Sequence, residues 1–391
     1  CRRRGGTNSF RDRRPTTLNL QIMMTRRQFS TSMPSLVTGS VALPGCSQEP
    51  AADGYEATAE RTWQLGSVSE LSGAALGQAL VRYATLAPSS HNTQCWKFAL
   101  DGSGRSITVL PDLTRRCPVV DPDDHHVFVS LGCATENLVQ AALAHGLKGE
   151  ALFDPAGDAV RVTLEATQAQ ATPLFKAIPL RQCTRGDYDG KPLSGEELAL
   201  LQRAGSSDTV RLLLLTDRPA MEQTLDFMIQ GNTAQLADAA FVRELKAWIR
   251  FNGADAVRTG DGLYSVTSGN PNIPSWIGDL AFRWLLTAKG ENDKVARQMR
   301  SSAGVAVFVG QTADRSHWIE VGRCYERFAL QATALGIRNA FLNQPVELAA
   351  LRPTFAAALG LGAQRPDLVV RFGRGPAMPR SLRRPVEAVL V

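Results

Sequence analysis

Apolar residues recur at helical spacing from Val68 to Leu86, with Val68, Leu71, Ala75, Ala79, Leu80 and Tyr83 on one side of the predicted helix. The period then changes. Trp96–Leu100 and Ser106–Leu110 read as short strands, joined by the turn Asp101-Gly102-Ser103-Gly104. Val127–His145 is predicted as a long apolar helix that opens after Asp123-Asp124 and stops at Gly146. Val160–Glu165 is a strand candidate. Further on, Leu193–Ala204 reads as a helix capped by Ser194, with Glu196 and Glu197 in its first turn. A buried-type strand (Arg211–Thr216) and a long helical region (Ala220–Phe251) follow. The last periodic elements are a strand at Gly304–Gly310, helices at Trp318–Leu335 and Glu347–Ala358, and a strand at Asp367–Phe372. Between them, Arg258–Asp279 has no period and is rich in Gly, Pro, Asn and Ser. Leu263, Tyr264, Ile273, Trp276 and Ile277 are scattered through it, so it predicts an irregular lid or a disordered insert. The pattern as a whole predicts an α+β chain.

Two of these helices align at a constant offset. Gly132, Glu136, Ala142, Ala144 and Gly146 correspond to Gly322, Glu326, Ala332, Ala334 and Gly336, while Leu131, Leu138 and Leu147 meet Val321, Phe328 and Ile337 in the same register. Amphipathic helices agree by chance at some positions. The shared glycines go further and predict two pseudo-repeated halves folded as an internal dimer within one polypeptide, so that a monomer suffices to build any site between them.

Composition narrows the function. The 391 residues are 44% hydrophobic and 20% charged, ordinary for a globular chain, and no uninterrupted apolar run is long enough to span a bilayer as a mature helix. The formal charge of +6 sits at one end. Residues 1–45 hold eight Arg and one acid, and without them 35 basic residues face 36 acidic ones, so the charge gives no nucleic-acid reading. The seven cysteines show no C-x-x-C pair and no disulfide framework. His125-His126, beside Asp121, Asp123 and Asp124, reads as a polar turn before a helix rather than a metal cluster. Residues 1–46 read as a leader: an upstream extension to about Met23 or Met24, then Thr25-Arg26-Arg27-Gln28-Phe29 and a weakly apolar stretch ending in Leu43-Pro44-Gly45-Cys46. This resembles a twin-arginine export signal followed by a lipobox, with Pro44 an imperfect fit. It implies the twin-arginine machinery as a partner and a periplasmic or membrane-anchored product lipidated at Cys46. Lipidation would be the sole membrane contact, and an unused leader would leave the protein cytoplasmic. Residues 47–67 read as a linker, 68–175 as the first half, and 176–391 as the second half with the lid at 258–279.

The candidate chemistry lies in Ala87-Pro88-Ser89-Ser90-His91-Asn92-Thr93-Gln94-Cys95-Trp96-Lys97-Phe98. Such a loop presents hydroxyls, amides and backbone N–H groups to a planar polar ligand, with Trp96 and Phe98 as apolar backing. It resembles the Ala-Pro-Ser-Ser-x-Asn-x-Gln-Pro-Trp-x-Phe signature of the nitroreductase superfamily, with Cys95 where proline is usual. The chain as a whole is similar to the fused single-chain, Acg-like branch. The resemblance implies a nitroreductase-like α+β fold and FMN bound between the halves. Hydride would pass from NAD(P)H to the flavin and then to a small electron-poor acceptor, a nitro compound or a quinone. The alternative is a flavin-binding or flavin-sequestering protein with little turnover, its pocket covered by the lid.

By the same resemblance Ser89, Ser90 and Asn92 would bind the cofactor from the first half. Arg181, Thr184 and Arg185 look like the family's Arg-x-Ser-x-Arg phosphate segment, with Cys183 an alternative to Thr184 in that register. Arg380 with Arg383 or Arg384 fits a second phosphate clamp, since a planar guanidinium fork matches phosphate. Arg61-Thr62-Trp63 could be a worn copy of the phosphate segment. The run Asn339–Pro345, with Leu342 and Asn343 at its centre, would pass its backbone along the flavin N5. The Glu and Gly usual in that turn are missing. One strong loop and one strong Arg segment in opposite halves imply one FMN, and no protein acid or base is required for the first hydride transfer.

Overall fold

The computed structural model describes residues 53–65, 71–102 and 104–391. The leader, Cys46 and the start of the linker lie outside the described residues. The first half runs α1 (Asp53–Trp63), α2 (Gly73–Thr85), β1 (Trp96–Leu100), β2 (Ser106–Pro111), α3 (His125–Ala144), β3 (Leu147–Asp154), β4 (Ala159–Ala166) and α4 (Pro173–Ala177). The second begins with α5 (Gly195–Ala204), β5 (Val210–Leu215), α6 (Arg218–Ala237) and α7 (Ala239–Trp248). It continues through β6 (Ile249–Arg250), α8 (Gly253–Thr259), β7 (Leu263–Tyr264), α9 (Ser275–Leu285) and α10 (Ala288–Arg300), and closes with β8 (Gly304–Gly310), α11 (Arg315–Ala334), β9 (Arg338–Phe341), α12 (Gln344–Glu347), α13 (Arg352–Ala358) and β10 (Leu368–Gly373).

Two four-stranded antiparallel sheets carry the same topology, β1-β2-β4-β3 and β5-β8-β10-β9. In each, a 20-residue helix links the second strand to the third: α3 from His125 and α11 from Arg315, at the offset read from the sequence. The fold is therefore α+β with two pseudo-repeated halves. The paired helices cross at their glycines. A Cβ built on Gly132 would lie 2.0 Å from the Ile319 carbonyl oxygen, and one on Gly322 would lie 2.0 Å from that of Val129. Both helices end on a left-handed glycine, Gly146 (φ 78°) and Gly336 (φ 70°), the conformation that closes a helix most cheaply without a Cβ. Helix α3 is long and apolar enough to cross a bilayer by length and composition, and it is largely buried in the core instead.

Long-range pairing also closes the sheet edges. The C-terminal tail pairs with β1, where Phe98 N–H donates to Val389 O (2.8 Å) and Val391 N–H to Phe98 O (3.0 Å). Residues 183–184 pair with the edge of β9, Thr184 N–H donating to Asn339 O (2.8 Å). Several expectations are corrected. Residues 53–63, expected within the linker, form α1, because Tyr55, Ala59 and Trp63 fall on one buried side against α8 and the C-terminal tail. The helical region after Ala220 breaks at Asp238, whose side chain caps α7 through the Ala240 N–H. The lid is less irregular than its composition suggests, since β7 pairs in parallel with β6 and α9 closes the segment.

Candidate active site

The signature loop leaves α2 and reaches β1 through three left-handed residues, His91, Asn92 and Gln94 (φ 48°, 54° and 53°). Residues with a Cβ take that conformation at a cost of order 1–3 kcal/mol each, so the surroundings must hold it. Asn92 Nδ2 donates to Gly262 O (3.0 Å) and Leu382 O (3.2 Å), and its Oδ1 accepts from Arg383 Nη1 (3.0 Å). Gln94 Nε2 donates to Gly260 O (2.9 Å), and its Oε1 accepts from the Arg384 N–H (2.8 Å). The amides of the loop thus clamp it to the lid and to the C-terminal tail. The hydroxyls are left facing inward, with Ser89 Oγ accepting from the Gln94 N–H (2.9 Å). Cys95 is buried at the end of the loop, and burial pushes its thiol up to about 11.

Two adjoining cavities open where the loop meets the second half, and they share Pro88, Ser89, Arg185, Leu263 and Phe341. The smaller, of about 50 Å³, collects Ser89, Asn92, Arg181, Arg185, Arg380 and Arg383 from three distant stretches of chain. The larger, of about 310 Å³, takes Ser90, Leu342 and Asn343. Thr184 lines neither. It is fully buried, its hydroxyl donating to Gln182 Oε1 (3.3 Å), and it is Cys183 that reaches the smaller cavity. The Leu342 N–H is committed to Val369 O (2.7 Å), and Asn343 Oδ1 accepts from the Val369 N–H (3.0 Å), so both brace β10 while lining the cavity.

The arginines divide by what already holds them. Arg383 spends its guanidinium on the carbonyls of Thr85 (2.8 Å), Leu86 (3.1 Å) and Ala87 (3.1 Å) at the end of α2, a structural rather than a free cation. Arg181 is buried against Glu326 (3.1 Å) and donates to Leu86 O (2.9 Å), while its Nη1 has no acceptor. Arg380 donates to Pro179 O and stacks 5.0 Å from the Trp63 ring centre. Arg185 makes no side-chain hydrogen bond or ion pair among the described residues. Arg61, in the stretch weighed as a worn phosphate segment, is exposed and bonds Thr58, and only Trp63 of that stretch enters the site.

Charge accumulates accordingly. Burial and the neighbouring Arg181 hold Arg383 down to about 9, and burial together with Arg338 and Arg181 lowers Arg380. Glu326 is pushed up to about 7 by burial, against the pull of Arg181.

Sequence reasoning missed much of the larger cavity. His91 bonds Cys117 Sγ through Nδ1 (3.3 Å) and is held neutral, near 4, by burial and by Arg185. Arg371 donates to Gly186 O (2.7 Å) and stacks 4.2 Å from Tyr188. Glu347 accepts from Gln235 Nε2 (2.6 Å), and burial pushes its carboxyl up to about 7. A signal existed for Arg371, a lone charge inside the apolar run Leu368–Phe372.

The pseudo-twofold predicts a twin of this cavity, and there is one. A second depression is lined by Ile319, Glu320 and Arg323 of α11, which occupy the positions of Val129, Ser130 and Cys133, together with Ser207 and Thr209 before β5. In the twin, Glu320 pairs with Arg323 (3.1 Å) and Arg327 (3.1 Å), and Arg323 and Arg327 also bind Glu136, so both arginines are neutralised. The two halves differ here: among the described residues the twin's arginines are paired, whereas Arg185 on the first cavity is not.

No family model matches the chain. Among curated proteins it is 24% identical over 322 residues to the candidate NAD(P)H nitroreductases Rv3131 and MT3217 of two Mycobacterium tuberculosis strains, covering 78% of this chain and 88% of theirs. Solved structures that resemble it include an FMN-bound nitroreductase of Bacteroides fragilis (16% identity, TM-score 0.31, 52% of this chain and 89% of that one). Another is the FMN-dependent nitroreductase NfnB of Mycobacterium smegmatis in complex with NADPH (11%, TM-score 0.34, 52% and 87%). The mycobacterial match is longer than either half alone, so along both of its halves this chain is similar to the nitroreductase superfamily.

Proposed function

We propose that the protein is an FMN-dependent oxidoreductase of nitroreductase type, taking hydride from NAD(P)H and passing reducing equivalents to a small electron-poor acceptor such as a nitro compound or quinone. The observation that carries this reading is the crowd of guanidiniums around the smaller cavity, whose lining among the described residues holds no carboxylate, buried Glu326 pairing with Arg181 behind it. A dianionic phosphate supplies the missing charge and accepts the donors left over. The residues fit FMN. Arg185, the idle Nη1 of Arg181, Arg380 and the Ser89 hydroxyl would hold the phosphate, while Arg383 and Asn92 keep the walls in place. The larger cavity lies at the lower end of the volume range of small-molecule sites, roughly 300–1,000 Å³, and would take the ring system with Ser90, Leu342 and Asn343 on its walls. When bound, FMN supplies the redox chemistry, while the chain binds it, orients it and excludes water. The charge-neutralised twin supports one FMN per chain, with no second copy needed to complete the site.

A second reading is flavin storage with little turnover. It is favoured by the lid, since Leu263, Ser265 and Asn270 wall the larger cavity. One experiment separates the two: the visible spectrum of the purified chain, followed by NADPH addition without oxygen. Bleaching within seconds supports the enzyme, a protein that stays yellow supports storage, and a colourless chain that rejects added FMN refutes both. We also infer twin-arginine export from Arg26-Arg27 and lipidation at Cys46, outside the described residues. Retention of a paired Arg→Lys variant inside the cell would support the first, and a normal yield outside would refute it.

A further inference from the structure

Beside the larger cavity, which His126 lines, three buried side chains converge, each keeping an atom that no hydrogen bond uses. Asp121, His125 and His126 each offer a ligand atom, and these atoms lie within 4.8 Å of one another. All three are at least nine-tenths buried, at 3%, 0% and 5% exposure. Their bonding is divided in a telling way. Asp121 caps α3 with Oδ2 alone, accepting from the N–H groups of His126 (2.9 Å) and Val127 (3.3 Å), while Oδ1 carries no hydrogen bond. His125 Nε2 faces Asp367 Oδ1 (3.0 Å), and its Nδ1 has no partner. His126 Nδ1 faces Asp121 Oδ1 at 4.0 Å, too far for a hydrogen bond, and neither ring nitrogen of His126 has a hydrogen-bond partner. Buried polar atoms are almost always satisfied, so three residues leaving nitrogens and an oxygen idle in one place need an explanation.

We propose that Asp121, His125 and His126 form a site for one divalent cation of the Zn²⁺ class. Two imidazoles and one carboxylate are a ligand set for a borderline metal, and three protein ligands leave a fourth position for an exchangeable molecule. Because His126 also lines the larger cavity, that position opens there. Asp367 supplies the outer support: by accepting Nε2–H it fixes the His125 tautomer with Nδ1 as the bare lone pair, and its own Oδ2 is anchored by the Gly310 N–H (2.7 Å). A tetrahedral cation draws its ligands to about 3.4 Å apart, a closure that side-chain rotation can supply. The nearby guanidiniums of Arg352 and Arg365 are paired with Asp123 (3.9 and 2.6 Å), so they do not claim Asp121. The sequence reads His125-His126 as a polar turn before a helix; at the start of α3 the two rings lie with centres 4.8 Å apart, close enough to share one ion. The site is independent of the flavin reading.

The test is a Zn²⁺ titration of the EDTA-treated full chain against a chromogenic chelator, with zinc K-edge absorption of the one-equivalent sample. The expected result is one Zn²⁺ per chain with nitrogen and oxygen scatterers only. Affinity should fall at least 100-fold in His126→Gln and in Asp121→Asn, and about 10–100-fold in Asp367→Asn. His317→Gln, a partly buried histidine paired with Asp314 at the start of α11, should change nothing. Sulfur scatterers, less than half an equivalent bound, or unchanged affinity in both His126→Gln and Asp121→Asn would each overturn the proposal. If circular dichroism shows that either variant is unfolded, the absorption spectrum of the unmodified chain decides.

Discussion

Replacing Gly132 by alanine tests the internal dimer at its tightest point. A Cβ there would meet Ile319 O at 2.0 Å, Ile319 C at 2.9 Å and Gly322 Cα at 3.0 Å. All three are backbone atoms, so no side chain can rotate away, and α3 and α11 must separate by more than an ångström to reach ordinary contact. Three effects compete. Alanine favours the helix over glycine by about 1 kcal/mol. Overpacking against a fixed backbone costs roughly 1–3 kcal/mol, occasionally more. Parting the helices also loosens their other contacts, and a gap of 0.5–1 Å forfeits about a quarter to a half of each pair's attraction. The sum is a loss of about 2–4 kcal/mol. Urea unfolding of the full chain measures it as a fall in midpoint at unchanged slope. The control is Gly195→Ala, at the start of α5 with nothing within 4 Å, which should change stability by less than about 1 kcal/mol. Gly322→Ala should behave like Gly132→Ala. The double variant should cost less than the sum of the two, because one separation relieves both clashes. A Gly132→Ala protein as stable as the parent would refute the crossing and the two-halves reading with it.

Arg185→Ala removes the cation that no side chain claims. It should weaken FMN binding by about 1.5–3 kcal/mol, roughly tenfold to a hundredfold, with the unfolding midpoint unmoved, as fluorescence titration and melting would show. Arg383→Ala should do the reverse and destabilise the fold itself by about 2–4 kcal/mol, since it strands the carbonyls that end α2. Glu347, held up at about 7 by burial, binds its proton more tightly folded than unfolded. Its contribution is therefore complete below about pH 4.5 and lost as pH rises towards 7, by at most about 3 kcal/mol. Glu347→Gln should flatten that part of the stability–pH curve, and an unchanged slope would show that the carboxyl is already ionised.

The sequence carries some of this architecture openly, because its signals are local. The repeat was legible in glycines, since a helix crossing at backbone distance admits no Cβ at either partner, and both members of each pair must keep the same residue. The signature loop was legible for a related reason: its small residues and amides are forced by left-handed backbone and by bonds to distant carbonyls. What the local pattern could not show is which face of a polar residue is already spoken for. Asn92 and Arg383, expected to hold the cofactor, line the smaller cavity and also hold each other and the end of α2. Thr184 has the right chemistry, but pairing with β9 turns it inward and leaves Cys183 at the cavity. The contacts that decide both cases join residues far apart in sequence, and no short-range period reports them. Strand β3 was missed because Leu147–Asp154 alternates on a half-exposed sheet face, where its apolar signal is diluted. Divergence between the halves follows from the same geometry. Where α11 carries Glu320 and Arg323 at the positions that Ser130 and Cys133 hold in α3, the twin cavity neutralises its own arginines. Among the described residues, the cavity beneath Ser89 holds guanidiniums with no carboxylate on its wall. The asymmetry of a folded-together dimer is thus set less by its backbone, which the two halves share, than by which arginines still lack a partner.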